Sequence, residues 1–340
     1  MNRYRNIYIH LFFFDKLLIG YLGKMQEKGK VVIIMNPVSG NRRSKIRRSR
    51  LLDLMTQRGI SYACFETKYK GHAMELVQGL KEESASIFLI GMGGDGTNNE
   101  LVNGIMQLPP ERRENLAYCL FPSGTGNDWA RSFDIPIDPS SWLDMWQEQF
   151  AKKHDLGLVR YYTDGQEAQR YFINIAGMAY DAYLVGKLEK GFMSKSNKLV
   201  YLGILLRCLM AYRLHPVQVE SDSYAFQSKC YTINVGINRF AGGGMEVVPD
   251  ADAFDGLLSI TAAKDLKKYQ VVYELRRFYN GTYTQIPKVE AFDAKAVKVS
   301  CTDADRILEV EADGEYLGVG PCTFQSIPAA FNVIMPKKNN

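Results

Sequence analysis

Residues 91–97 read Gly91-Met92-Gly93-Gly94-Asp95-Gly96-Thr97, directly after the apolar run Ser86–Ile90 and before a stretch of helical spacing, Asn98–Met106. Glycines at a strand end let backbone N–H groups turn toward an anion, and the following helix start carries partial positive charge, so the stretch is an anion cradle. Asp95 in its middle would repel phosphate unless a divalent cation lay between them, which points to a magnesium–nucleotide complex. A plain tight turn with Asp95 as a helix cap would not need four glycines in the six residues 91–96. Read literally, Gly91-x-Gly93-x-x-Gly96 matches a dinucleotide fingerprint. That fingerprint normally opens its domain and is followed roughly 20 residues later by an acid at the end of the next strand. Here the next strand, Ala117–Phe121, ends in Pro122-Ser123, which disfavours the dinucleotide reading.

Working outward, Val31–Met35 is a short apolar run closed by Asn36-Pro37-Val38-Ser39-Gly40, a buried strand and its turn. A helix is expected over 44–58, with Ile46, Leu51, Leu52 and Met55 as its apolar positions. A strand near Tyr62–Glu66, a loop with Thr67 and Gly71, and a helix through Ala73–Glu82 lead to the glycine loop. Beyond it, Ala117–Phe121 runs into a second polar turn, Pro122-Ser123-Gly124-Thr125-Gly126-Asn127-Asp128. Strand, loop and helix alternate three times, which predicts a Rossmann-like parallel α/β domain over 29–153 with its polar loops on one rim. Any one of these loops could be an ordinary turn, but three on one rim fit a single phosphate-bearing ligand.

After His154 the texture becomes strand-rich: Tyr171–Ala176, Val217–Glu220, Cys230–Asn234, Leu257–Ala262, Val297–Cys301, Leu308–Ala312 and Glu315–Val319. These predict a C-terminal antiparallel β-sandwich-like domain over 154–325, interrupted by helices near 183–212 and 266–279. Residues 326–340 contain a last strand, Phe331–Met335, that could return to the first domain. Residues 1–28 form an extension or interfacial segment. Asp15 and Lys16 break its apolar stretch, so neither a signal peptide nor a membrane-spanning helix fits, and Met25 offers an alternative start.

With 340 residues, 46% apolar and 23% charged, the chain has the composition of an ordinary two-domain globular protein. A net charge of +5 gives no argument for nucleic acid as a partner. Six scattered cysteines without a C-x-x-C pair argue against a zinc site or disulfide framework and suit a reducing cytoplasm.

The set Asn36-Pro37-x-Ser39-Gly40, Gly93-Gly94-Asp95-Gly96-Thr97-x-x-Glu100 and Pro122-x-Gly124-Thr125-x-Asn127-Asp128, in that order, resembles the catalytic domain shared by diacylglycerol, sphingosine and ceramide kinases and bacterial lipid kinases. The resemblance runs from about residue 30 to 336. It implies ATP bound in an interdomain cleft, Mg²⁺ dependence, and a lipid hydroxyl as acceptor, most simply that of diacylglycerol. It also implies that these residues, with Ser123 and more weakly Thr67, hold the nucleotide, and that Asp95 organises the metal. Asp313-Gly314-Glu315 resembles the family segment whose acids serve as general base; Asp313 is the expected base with Glu315 assisting, although a lone Asp-Gly between strands is usually a hairpin turn. Pro249–Leu258 resembles a segment that holds a second, structural Mg²⁺, here through Asp255 and the main chains of Asp252 and Leu257. An NAD kinase-like enzyme with a soluble acceptor, or a nucleotide-binding membrane-associated regulator that transfers nothing, are the competing readings. A homodimer is expected at family level only.

A lipid acceptor also implies a cytoplasmic protein lying peripherally on the inner face of the cell membrane. Asn41–Arg50 places six basic residues in ten on one helix, so Arg43, Arg47 and Arg48 are expected either to face solvent or to meet anionic headgroups. Residues 199–210, LVYLGILLRCLM, are expected to line an acceptor channel, form an interfacial element or join the core.

Overall fold

Strands without polar alternation need cover on both faces, and four such runs find it here in a parallel sheet. The computed structural model describes residues 29–83, 85–189, 203 and 207–337. The N-terminal segment 1–28 and most of 199–206 lie outside them. The chain divides into two compact units, passing from one to the other after His154 and returning at Ala329.

In the first unit β1 (Lys30–Met35), β2 (Tyr62–Glu66), β3 (Ile87–Gly93) and β4 (Leu116–Pro122) pair in parallel in the order β2-β1-β3-β4. The register sets Ile33 beside Cys64 on one side and Ile90 on the other, and Leu89 beside Tyr118. Helices α1 (Arg42–Gln57), α2 (His72–Gln78), α3 (Asp95–Met106), α4 (Pro110–Glu114), α5 (Asp128–Ser132) and α6 (Pro139–Gln147) connect and cover these strands. Asn41 starts α1 by accepting from the N–H groups of Arg43 and Ser44, and Asp138 starts α6 from Ser140 and Ser141. Trp129 and Trp142 are fully buried, their indole N–H groups satisfied by His154 at 3.2 Å and by the Leu120 carbonyl at 2.8 Å. The chain's last strand adds to this sheet in parallel, Asn332 beside Ala117 and Val333 beside Tyr118.

Two local expectations are corrected. The third strand does not stop at Ile90 but runs through Gly91-Met92-Gly93, because a side chain at 91 would meet Leu101 and Tyr118 and only glycine lets the strand pass. On α1, Ile46 is exposed at 59% and Arg48 is buried at 4%. The buried stripe is Ser44, Arg48, Leu51, Leu52 and Met55, spaced three to four apart as helical geometry requires.

The second unit is antiparallel. Its strands include β7 (Ile175–Ala179), β8 (His215–Ser221), β9 (Ala225–Gly236), β14 (Ala296–Cys301), β15 (Glu309–Ala312) and β16 (Glu315–Ile334), the last of which continues into the first unit. Their ladders close on themselves: β9 pairs β7, β7 pairs β15, β15 pairs β16, β16 pairs β14, β14 pairs β8, and β8 returns to β9. Closure leaves none of these six strands with a free edge. β10 (Phe240–Ala241) and β11 (Met245–Glu246) pair as a separate short ribbon, and β12 (Leu258–Lys264) and β13 (Val289–Ala294) extend the sheet from β9. A hairpin of β5 (Ala151–Thr163) and β6 (Gln166–Phe172) was not expected over most of its length, since the mixed pattern AKKHDLGLVRYYT gives neither period clearly. Helices α7 (Tyr180–Glu189) and α8 (Lys268–Tyr273) interrupt the strands. The long helix expected over 266–279 is this one short α-helix and a 3₁₀ turn, Leu275–Phe278.

Candidate active site

The three polar loops of the first unit are held against one another by their own main chains. Asn36 donates its N–H to the Met92 carbonyl (2.9 Å) and its side-chain amide to the Thr97 hydroxyl (3.1 Å), while its side-chain oxygen accepts from Val38 N–H (3.1 Å). The Ser123 and Gly124 N–H groups both donate to the Gly93 carbonyl, at 2.8 and 3.1 Å. Gly94 and Gly124 touch: a Cβ on Gly124 would sit 2.3 Å from the Gly94 Cα. Gly93 packs on the Thr97 side chain, and Gly40, at φ 74°, packs on the Ser123 carbonyl. Asn127, at φ 55°, folds back so that its side chain both accepts from Gly124 N–H (2.9 Å) and donates to the Gly124 carbonyl (3.1 Å). The Ser39 hydroxyl donates to the Ser123 carbonyl at 3.5 Å. Thr67 lies beside the first loop, its N–H on the Met35 carbonyl (2.9 Å). Gly96 and Thr125 are exposed.

Arg48 ties this surface together from beneath. Its guanidinium donates to the carbonyls of Ser39 (2.8 Å) and Pro37 (3.1 Å) and to the Ser123 hydroxyl (3.2 Å). Burial lowers its pKa from the usual value, with Glu66 opposing. The sequence reading gave this residue to solvent or to a membrane; the structure makes it a strut between the first and third loops. Glu100 is also differently employed than expected. Its two carboxylate oxygens accept from the N–H groups of Gly71 (2.8 Å) and Ala73 (3.2 Å), which caps α2 and fixes the loop after β2.

Asp95 and Asp128 converge on Gly126: a Cβ there would lie 2.8 Å from an Asp95 oxygen and 3.6 Å from an Asp128 oxygen. Asp95 also accepts from Trp129 N–H at 3.3 Å, and Asp128 lies 3.8 Å from Arg131. Two carboxylates meeting beside glycine-rich backbone are the hard oxygen donors a Mg²⁺ ion takes. Among the described residues no three His, Cys, Asp or Glu side chains gather to hold an ion by themselves, so phosphate oxygens and water would have to complete any such shell. Around 252–257, Asp255 accepts from Leu257 N–H (2.8 Å) and Asp252 from Phe254 N–H (3.1 Å). The Asp255 carboxyl is pushed up by burial and by Asp252, Asp293 and Asp155, a repulsion that a cation held with main-chain carbonyls there would relieve.

In the second unit, Asp313 and Gly314 form the β15–β16 turn with φ of 51° and 80°, the paired positive values of a tight hairpin. The Asp313 carboxylate accepts from three consecutive main-chain donors, Ile173 (2.9 Å), Asn174 (2.9 Å) and Ile175 (3.2 Å). Glu315 lies 3.6 Å from Arg170. Behind them stands an acid pair that the sequence did not single out, the buried Glu311 and the half-buried Asp181. Glu311 accepts from Gly314 N–H at 2.8 Å, and a Cβ on Gly177 would lie 2.5 Å from the Glu311 carboxylate and 2.9 Å from the Asp181 Cβ. Burial, and then Asp181, push the Glu311 carboxyl well above its usual range. Burial pushes Asp181 up to about 6, partly offset by a hydrogen bond from the Thr232 hydroxyl. The signal that could have found them is negative charge on strand and helix positions that the pairing register turns inward.

Residues 30–159 match the diacylglycerol kinase catalytic domain, and residues 175–335 match the YegS C-terminal NAD kinase beta sandwich-like domain. The chain is 28% identical over 305 residues to a diacylglycerol kinase of Staphylococcus aureus, covering 89% of this chain and 91% of that protein. Its fold is similar to that of a diacylglycerol kinase from Bacillus anthracis (TM-score 0.66, 19% identity, 91% of this chain and 98% of the other). It is similar at greater distance to yeast NADH kinase (TM-score 0.50, 8% identity, 92% of this chain and 85% of the other). No helix among the described residues is long and apolar enough to cross a membrane.

Proposed function

We propose that the chain, whose residues 30–159 match the diacylglycerol kinase catalytic domain and whose residues 175–335 match the YegS C-terminal domain, is a lipid kinase that transfers the γ-phosphate of ATP to the free hydroxyl of diacylglycerol, giving phosphatidic acid and ADP. The observation that carries this reading is the convergence of Asn36–Gly40, Gly93–Thr97 and Ser123–Asp128 into one glycine-lined surface, with Asp95 and Asp128 meeting at Gly126. Backbone N–H groups there hold phosphate oxygens, and the two carboxylates would hold Mg²⁺, which supplies charge neutralisation when bound. The acceptor oxygen forms the new bond to phosphorus as the bond to the ADP oxygen breaks, and the hydroxyl proton passes to a carboxylate of the 313–315 turn. Three main-chain donors already occupy most of the lone-pair capacity of Asp313. That supports a division in which Asp313 holds the turn and Glu315 takes the proton.

The test is incubation of the purified chain with labelled ATP, Mg²⁺ and, in parallel, dispersed diacylglycerol, a total lipid extract and NAD. Label in phosphatidic acid is the expected result. Label in another lipid would change the acceptor, and label in NAD alone would replace the reading with a soluble-acceptor kinase.

A further inference from the structure

Trp129 is bonded at both its main chain and its ring. Its main-chain N–H donates to the Asp95 carboxylate at 3.3 Å, and its indole N–H donates to Nε2 of His154 at 3.2 Å. Asp128 precedes it in the chain, and Asp95 and Asp128 converge at Gly126. His154 is the last residue of the first unit before the chain crosses to the second. Both Trp129 and His154 are 0% exposed.

A histidine buried among rings often does no more than fill space, but three relations give this one a task. The imidazole is itself held, with ring centroids 6.0 Å from Trp129, 5.5 Å from Phe133 and 5.6 Å from Phe331. It is therefore a fixed acceptor, and accepting at Nε2 places its proton on Nδ1. The start of α3 has fastenings of its own, from the Tyr118 hydroxyl to the Asn98 side-chain oxygen (2.7 Å) and from the Asn36 amide to the Thr97 hydroxyl (3.1 Å). The Trp129 N–H thus acts on the Asp95 side chain, not on the helix that carries it. Finally, Trp129 is the second residue of α5, which Asp128 opens, so a turn of Trp129 would shift Asp128 as well. A buried indole N–H left without an acceptor is unfavourable, which ties the conformation of Trp129 to His154.

We propose that His154 is a positioning residue for the magnesium carboxylates. By holding the Trp129 indole it fixes both the N–H that orients Asp95 and the helix start that presents Asp128. The proposal rests on the reading of Asp95 and Asp128 as the acids that hold Mg²⁺ beside a nucleotide, and it adds a residue that acts on them only through Trp129.

The experiment is calorimetric titration of the full chain with ADP, once in EDTA and once in Mg²⁺, which gives the affinity that the metal adds. Mg²⁺ is expected to tighten ADP binding by the unmodified chain. His154→Phe keeps a ring and removes the acceptor; it should change the affinity in EDTA by less than about twofold and cut the Mg²⁺ gain by roughly tenfold, as loss of a group behind metal ligands does. His154→Gln, whose amide oxygen can accept from the indole, should recover most of that gain. Trp129→Phe removes the donor of the same bond, so it should lose the gain as His154→Phe does, and the double variant should lose no more than either. It also reads the link if His154→Phe does not fold. Trp142→Phe removes a different buried indole bond of this unit, to the Leu120 carbonyl, and should lower the unfolding midpoint without touching the Mg²⁺ gain. A full Mg²⁺ gain in folded His154→Phe or Trp129→Phe, or an equal loss in Trp142→Phe, would overturn the proposal. An unmodified chain whose ADP affinity ignores Mg²⁺ would fail the metal reading and this proposal with it, whereas a gain that the variants keep fails this proposal alone.

Discussion

Arg48, on helix α1, donates across 3.2 Å to the hydroxyl of Ser123, 75 residues further along the chain. The same guanidinium holds the Ser39 and Pro37 carbonyls, so one planar fork sets the separation of the first and third phosphate loops. Arg48→Ala removes these donors and leaves two carbonyls without them, at a cost of about 3 kcal/mol. It should also raise the KM for ATP by roughly tenfold, because the loops lose their mutual position. Arg48→Lys, with a point charge in place of a fork, should recover stability more than KM. Urea unfolding and steady-state kinetics check both; an unchanged KM in Arg48→Ala would remove the strut role.

Gly124→Ala tests the contact between the second and third loops. The new methyl would sit 2.3 Å from the Gly94 Cα, a main-chain atom that cannot rotate away. Nucleotide affinity by calorimetry should fall by at least tenfold as the loops part. Gly59→Ala is the matched control: its φ is 70° but nothing lies within 4 Å of the added carbon, so it should cost about 1 kcal/mol of stability and leave nucleotide affinity alone. Equal effects of the two substitutions on affinity would show that the close approach is not what the site requires.

The parts of this site that were readable in the sequence are those whose chemistry is local. Glycines clustered at strand ends announce tight backbone, and unbroken apolar runs such as Val31–Met35 announce buried strands, so the parallel sheet and the three loops emerged from pattern alone. Arg48 did not, because a basic residue among five others reads as solvated surface; its burial follows from helical phase, which Ile46 as an apolar position sets the other way and which only the packing of Leu51, Leu52 and Met55 decides. Glu100 sat inside a recognised motif and took its expected role from that motif, whereas its partners, Gly71 and Ala73, come from a loop earlier in the chain. Asp181 and Glu311 meet only because β7 pairs with β15, a non-local relation that no window of sequence contains.

Asp95→Asn should separate metal from phosphate. The amide keeps the size of the side chain and can still accept from Trp129 N–H, so folding should be little changed. Loss of the charge that meets Asp128 at Gly126 should lower kcat by at least a hundredfold and raise the Mg²⁺ concentration needed for half-maximal rate. Titration of rate against Mg²⁺ at saturating ATP reads this directly. A variant with normal magnesium dependence would place the ion elsewhere.

The two acids of the 313–315 turn should part company when each is made neutral. Asp313→Asn replaces an anion that accepts three main-chain hydrogen bonds, so it should lose about 3 kcal/mol of stability together with activity. Glu315→Gln should leave the unfolding midpoint within a few degrees while kcat falls by on the order of a thousandfold, as removal of a positioned base does. If Glu315→Gln kept its rate and Asp313→Asn, still folded, lost it, the base would be Asp313 instead.

The pair of buried Glu311 and half-buried Asp181 gives stability a pH dependence of definite sign. Both acids have folded pKa values above their unfolded ones, Asp181 rising from 3.8 to about 6 because burial disfavours its charge. Between those two values the folded state binds more protons than the unfolded state, so this group makes the chain less stable as pH rises, and the penalty is complete above about pH 6. For Asp181 alone the change is on the order of 3 kcal/mol. Carboxylates such as Glu83, which Lys30 and the Ala85 N–H hold below the usual range, act in the opposite direction, so the total curve mixes signs. The comparison that isolates the pair is Asp181→Asn against the unmodified chain at each pH. Asparagine cannot ionise and keeps an oxygen for the Thr232 hydroxyl, so the variant's unfolding midpoint should gain on that of the unmodified chain from pH 4 to pH 7, by roughly 4 °C for a chain of this size. Phosphoryl transfer by the variant, measured over the same range, tells whether the pair also tunes the turn it supports through the Glu311–Gly314 hydrogen bond. A difference in midpoint that stays constant with pH would mean that Asp181 is ionised throughout and that its burial is relieved by something other than a proton.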